Sequence, residues 1–182
     1  MFKSLAVFCG SKNGNSPLYE QHARELGKLI AENDVKLVYG GGNKGLMGAI
    51  ADGVLHNGGY VIGVMPEILT SWEQQHQNLS ELHTVPDMHT RKRMMYELCD
   101  AAIILPGGTG TLDEMFEMIT WNTLNIHDKK IILLNSAGYY NSLLQHINRM
   151  YQEGFLYSDL RESIMVCNTP DAIFDDLYLN KY

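Results

Sequence analysis

The stretch Ala101–Glu114, AAIILPGGTGTLDE, decides how the rest of the chain folds. Its first five residues are apolar without alternation, as in a strand covered on both faces. Pro106 and three glycines then end the run, and the pattern from Thr111 through Trp121 has helical spacing. Strand, glycine turn and helix together form the half-unit of a parallel α/β sheet.

The same half-unit recurs outward in both directions. LAVFC, KLVYG, YVIGV, KIILL and SIMVC are short runs rich in Val, Ile and Leu, separated by longer helix-like segments. Ser16-Pro17 places a capping hydroxyl before a proline, and Leu26, Leu29 and Ile30 form the apolar stripe of the helix that follows. Thr169-Pro170 repeats the device. Residues 1–182 are therefore expected to form one Rossmann-like, doubly wound domain with a mainly parallel sheet. Ser71–Ser80, SWEQQHQNLS, is polar enough to be an exposed loop, or the border of a pocket.

Composition narrows the function classes. At 182 residues the chain has length for one sizeable core. A formal net charge of -7 argues against general binding to nucleic acid or an anionic membrane, so any anion site must be local. The longest apolar runs fall far short of a membrane span of about 20 residues. The start, MFKSLAVFCGSKNG, is too quickly polar for a signal peptide, which predicts a cytoplasmic protein. Cys9, Cys99 and Cys167 lack the spacing of a zinc site and read as small buried apolar residues.

Ligands of open α/β sheets bind past the carboxyl ends of the strands. Three glycine-containing turns belong there: CGSKNGNSP, YGGGNKGLMGAIADG and LPGGTGTLDE. Gly107, Gly108 and Gly110 let backbone N–H groups turn toward a ligand, Thr109 and Thr111 add hydroxyls, and the helix adds its positive end. A tight connection accounts for one glycine pair; three glycines with two threonines favour a phosphate. Glu114, three residues after Thr111, shares its helix face, and is equally consistent with a functional carboxylate and a first-turn acid. Asp113 and Glu117 share a different face.

Gly40, Gly42 and Gly45 spell G-x-G-x-x-G, which raises a dinucleotide-binding alternative. The motif follows the second strand instead of the first, and Glu67 is the best available ribose acid. Lys44 is followed by Gly45 where a P-loop needs Ser or Thr. A glycine wall against a nucleotide, through Gly41 and Gly42, or close helix–sheet packing fits better. In VPDMHTRKRMMYELCD, Asp87 reads as an N-cap, and Arg91, Lys92 and Arg93 then sit where cations oppose the helix dipole. That placement suggests an anion nearby or a solvated basic patch. Met94, Met95 and Leu98 form a core-facing stripe. Ser11 follows the first strand, where its hydroxyl serves a ligand or a cap equally well.

Taken together, GGGNKGLMG, MHTRK and PGGTGTLDE resemble the Lonely Guy family of cytokinin riboside 5′-monophosphate phosphoribohydrolases. The pattern P-G-G-x-G-T-x-x-E is met at each fixed position from Pro106 to Glu114, and the resemblance continues through EMITWNTLNIHDKKIILLN and GYYNSLL. It implies a homodimer that hydrolyses a purine nucleoside 5′-monophosphate to free base and ribose 5-phosphate, without metal or cofactor. It assigns catalysis to Arg91 and Glu114, with Met88 and Lys92 beside them and Gly107–Thr111 on the phosphate. Related chains have been labelled possible lysine decarboxylases, yet neither Lys44 nor Lys92 comes with the partners of a pyridoxal site. A non-catalytic nucleotide sensor would use the same glycine turns. The aromatic residues at Trp121 and Tyr139-Tyr140 suit a dimer interface or core packing.

Overall fold

Within the first strand the side chains alternate between two cores: Leu5 and Val7 enter one, Ala6 and Phe8 the other. A strand apolar on both faces must be covered on both faces, and the chain does this with helices. The computed structural model describes residues 2–69, 74–160 and 163–179. In order these form β1 (Ser4–Phe8), α1 (Pro17–Glu32), β2 (Lys36–Tyr39), α2 (Gly45–His56), β3 (Val61–Pro66), β4 (Glu81–Val85) and α3 (Met88–Leu98). Then follow β5 (Ala101–Ile104), α4 (Thr109–Thr123), β6 (Lys130–Leu134), α5 (Asn141–Gln152), β7 (Ile164–Cys167) and α6 (Pro170–Leu179).

The sheet runs β4-β3-β2-β1-β5-β6-β7, and every pairing is parallel. One face is covered by α1, α2 and α6, whose Leu26, Ile30, Ile50, Val54 and Ile173 meet the first core. The other carries α3, α4 and α5, with Met95, Met115, Met118 and Ile147 in the second. Leu26 and Ile30 are fully buried, each worth about 2 kcal/mol in removal from water.

The six runs read as strands all pair in the sheet. A seventh, β4, escaped that reading because ELHTV is mostly polar; as an edge strand it is only partly buried before Val85. Ser16 caps α1, accepting from the Leu18 N–H at 3.4 Å, and Asp87 caps α3, accepting from the Thr90 N–H at 2.8 Å. Thr169 Oγ1 accepts from the Ala172 N–H at 3.4 Å at the start of α6.

The expected exposed loop is corrected in part. Residues 71–73 lie outside the described residues, but 74–76 fold back onto the β2 turn. The Asn43 N–H donates to Gln74 O at 2.8 Å, the His76 N–H to Gly41 O at 3.0 Å, and His76 is buried against Asp52. Backbone pairing overrides the polar composition there. All three cysteines are buried thiols, and burial pushes that of Cys99 up to about 11. Among the described residues no helix is long and apolar enough to cross a membrane.

Candidate active site

β1 is the strand from which the sheet grows both ways, toward β2 on one side and β5 on the other. The helices leaving β1 and β5 lie on opposite faces, so a crevice opens between their first turns. The Gly10 N–H donates to Pro106 O at 3.0 Å and ties the two turns together at its mouth. A cleft of about 300 Å³ lies here, with Val7, Phe8, Cys9, Met47 and Met95 among its apolar lining. Met95, read from sequence as core, is thus core and cleft wall at once.

The carboxylate side of the cleft comes from α4. Gly108, Thr109, Gly110, Thr111, Asp113 and Glu114 line it, and Glu114 is half-buried. Unlike α1 and α3, α4 starts at a glycine, Gly108, with no side-chain cap. Its first-turn N–H groups have no intrahelical acceptor and carry the positive end of the helix dipole. An anion is the natural cap for such a terminus. Gly107 faces the neighbouring cavity shared with Tyr139; a Cβ on it would stand 2.1 Å from Thr111 Oγ1, so only glycine fits.

The cationic side comes from α3. Arg91 is 6% exposed and lines the cleft, a position that is tolerable only with hydrogen bonds. Its Nε donates to Val64 O at 3.1 Å and Nη2 to Gly40 O at 3.2 Å, while Nη1 lies 3.8 Å from Met88 Sδ. The two carbonyl bonds occupy two of five guanidinium donors and aim the group. Met88, also on the cleft wall, sits beside it.

This geometry explains the G-x-G-x-x-G run. A Cβ on Gly40 would stand 1.9 Å from Arg91 Nη2, so the first glycine makes room for the arginine. Gly41, at φ +81°, and Gly42 are buried under residues 74–76 and are not among the cleft-lining residues. Glu67, the candidate ribose acid, is exposed in a 3-10 turn and lines no part of the cleft. Ser11 is exposed and borders both cavities.

Lys92 does not line the cleft. Its Nζ lies 3.0 Å from Asp113 Oδ2 and 3.0 Å from Glu117 Oε2, and Tyr96 donates to the same Glu117 oxygen at 2.8 Å. The anion suggested by the basic run is therefore, for Lys92, a pair of carboxylates on α4. Burial disfavours the ammonium, but the bonds to Glu117 and Asp113 outweigh it and hold the lysine above its ordinary value. Burial first, then Glu117, likewise push the Tyr96 hydroxyl far up.

Sequence reading missed what holds the glycine loop. Tyr140 OH donates to Leu105 O at 2.6 Å and Tyr139 OH to Gly107 O at 2.6 Å. The only available signal was the placement of GYY soon after β6, and it pointed equally to packing.

Comparison with known proteins gives the family. The family model described as possible lysine decarboxylase matches residues 47–177. Cytokinin riboside 5′-monophosphate phosphoribohydrolase of Rhodococcoides fascians is 47% identical over 91% of this chain and 84% of its own length. The Arabidopsis thaliana enzyme of the same name is 48% identical over 90% and 77%. Among solved structures, the molybdenum cofactor binding protein of Rippkaea orientalis superposes with a TM-score of 0.73 at 21% identity, covering 97% of this chain and 96% of that one, a likeness of fold alone.

Lysine decarboxylation by pyridoxal chemistry would need a neutral amine in the cleft. No lysine lines it among the described residues, and Lys92 is held charged by two carboxylates, so these residues do not fit that cofactor. With a matched model over most of its length and relatives near half identity, the chain belongs to the Lonely Guy family, whose model carries the description possible lysine decarboxylase.

Proposed function

We propose that the chain hydrolyses the N-glycosidic bond of a purine nucleoside 5′-monophosphate, releasing free base and ribose 5-phosphate. One observation carries the reading: an uncapped, glycine-rich helix start, a carboxylate one turn further and an aimed guanidinium all face one cleft. The 5′-phosphate caps α4 through the amides of Gly108–Thr111 and the hydroxyls of Thr109 and Thr111. That anchor sets the ribose against Glu114.

As the bond between ribose C1′ and the base nitrogen breaks, positive charge develops on the sugar. The Glu114 carboxylate stabilises it and accepts a proton from the water that adds to C1′. The bonding electrons leave with the base, whose nitrogen takes up one proton from solvent as Glu114 returns the one it accepted, so that one water is consumed in all. Arg91 offers its remaining N–H donors to that side, where positive charge eases departure. Remote phosphate binding contributes by positioning the reacting atoms.

The relatives' names point to a cytokinin riboside 5′-monophosphate as substrate, with AMP as the plain-adenine alternative. The chain acts as one domain in the cytoplasm and as a homodimer; Leu124 and Ile126, 63% and 60% exposed beside Trp121, suit the interface. Sedimentation equilibrium reads the dimer directly.

Chromatography of incubations with AMP and with isopentenyladenosine monophosphate tests the chemistry. Base and ribose 5-phosphate are expected from the wild type, with the rate of Glu114→Gln lower by about 100-fold or more. Release of no base from either nucleotide, or an undiminished rate in the folded variant, overturns the reading.

A further inference from the structure

The glycines that let the Pro106–Gly110 loop meet a ligand also leave its peptide planes free to turn. Something outside the loop must fix them. Four successive carbonyls have protein donors. Leu105 O accepts from Tyr140 OH at 2.6 Å, Pro106 O from the Gly10 N–H at 3.0 Å, Gly107 O from Tyr139 OH at 2.6 Å and Gly108 O from the Leu112 N–H at 3.1 Å. In a trans peptide the N–H points opposite to the C=O. Tyr139 approaches Gly107 O from the neighbouring cavity of about 390 Å³, whereas Gly108 lines both that cavity and the cleft. Holding the Gly107 carbonyl toward Tyr139 therefore turns the Gly108 N–H toward the cleft.

The tyrosines are themselves held. Tyr139 packs edge-on against Tyr19 at 5.7 Å and Tyr140 at 4.8 Å between ring centres. The Tyr140 N–H donates to Asn135 Oδ1 at 2.7 Å, Asn135 Nδ2 to Asn141 Oδ1 at 2.8 Å, and Ser136 Oγ bonds His22 Nδ1 at 2.7 Å. The intervening turn passes through Ala137 at φ +52° and Gly138 at φ +70°. A non-glycine residue in the left-handed region persists only where its surroundings over-determine it.

We propose that Tyr139 is a positioning residue for substrate phosphate: by clamping the Gly107 carbonyl it pre-aims the Gly108 amide at the start of α4, whereas Tyr140, on the carbonyl of a peptide whose nitrogen belongs to Pro106 and has no N–H, only braces the strand end and the Tyr139 ring. This deepens the hydrolase reading and rests on its placement of the 5′-phosphate. The clamp acts on phosphate affinity, and neither hydroxyl takes part in bond breaking.

Tyr139→Phe removes the hydroxyl and keeps the ring. Calorimetric titration with ribose 5-phosphate is expected to show affinity weakened about fivefold to tenfold, the effect of one lost hydrogen bond. Binding of adenosine, which lacks the phosphate, is expected to be unchanged. With AMP as substrate, KM rises by a similar factor while kcat stays near wild type. Tyr140→Phe, whose buried hydroxyl holds a carbonyl with no N–H behind it, is expected to lower Tm and to leave ribose 5-phosphate affinity nearer wild type than Tyr139→Phe does. Unchanged ribose 5-phosphate affinity in Tyr139→Phe, or equal weakening of adenosine, overturns the proposal. The titrations do not depend on turnover. A wild type that binds ribose 5-phosphate but releases no base would cancel the hydrolase reading and leave the tyrosine result legible.

Discussion

Arg91 occupies its position because residue 40 has no side chain. A Cβ there would meet Arg91 Nη2 at 1.9 Å and Met47 Cε at 2.8 Å, both ends of flexible side chains and neither of them backbone. Gly40→Ala is therefore expected to fold with a small change in Tm while expelling the guanidinium from the carbonyls of Val64 and Gly40. Activity should fall about 100-fold, approaching that of Arg91→Ala, and the double variant should be no worse than the worse single one, as for residues acting as a unit. Wild-type kinetics in Gly40→Ala would show that the present placement of Arg91 does not matter to turnover. At this scale the sequence was legible where chemistry follows from residue type. The alternatives left open at Gly40 and Lys92 were ones that only the third dimension decides, because each answers to a residue far away in the chain.

Between elements, Lys92 joins the helix that carries Arg91 to the helix that carries Glu114. Its two carboxylates and Tyr96 form one network across α3 and α4. Lys92→Met leaves Asp113 and Glu117 without their shared cation, and a destabilisation of about 1 to 2 kcal/mol is expected, held down because Asp113 is 62% exposed. Since folding raises the lysine's affinity for its proton, the ammonium's contribution is complete below the unfolded value near 10.5 and is lost as pH climbs through the higher folded value. Denaturant titrations should accordingly show wild type and variant converging only above about pH 10.5. A gap independent of pH through that range would assign the effect to packing. The elements themselves were readable wherever apolar runs met glycine or proline. β4 was not, since ELHTV mixes polar with apolar residues and stays partly exposed up to Val85, whereas the other edge strand, β7, keeps an apolar run.

The whole molecule depends on the two sheet faces meeting at the carboxyl edge, and His22 is one of the places where they do. It projects from α1, is 6% exposed, and its Nδ1 lies 2.7 Å from Ser136 Oγ in the turn that carries Tyr139 and Tyr140. Burial lowers its proton affinity and outweighs the opposing attraction of Glu25. The unfolded chain takes up a proton below about pH 6.5, where the folded protein resists it, so this group's contribution falls as pH drops from there toward the folded value and is level above. The loss is at most about 1.4 kcal/mol per pH unit for one proton. His22→Gln, which keeps a polar side chain and cannot titrate, should give a flatter stability profile than wild type as pH falls below about 6.5. Parallel stability profiles for the two proteins would remove His22 from the pH dependence of the packing between the faces.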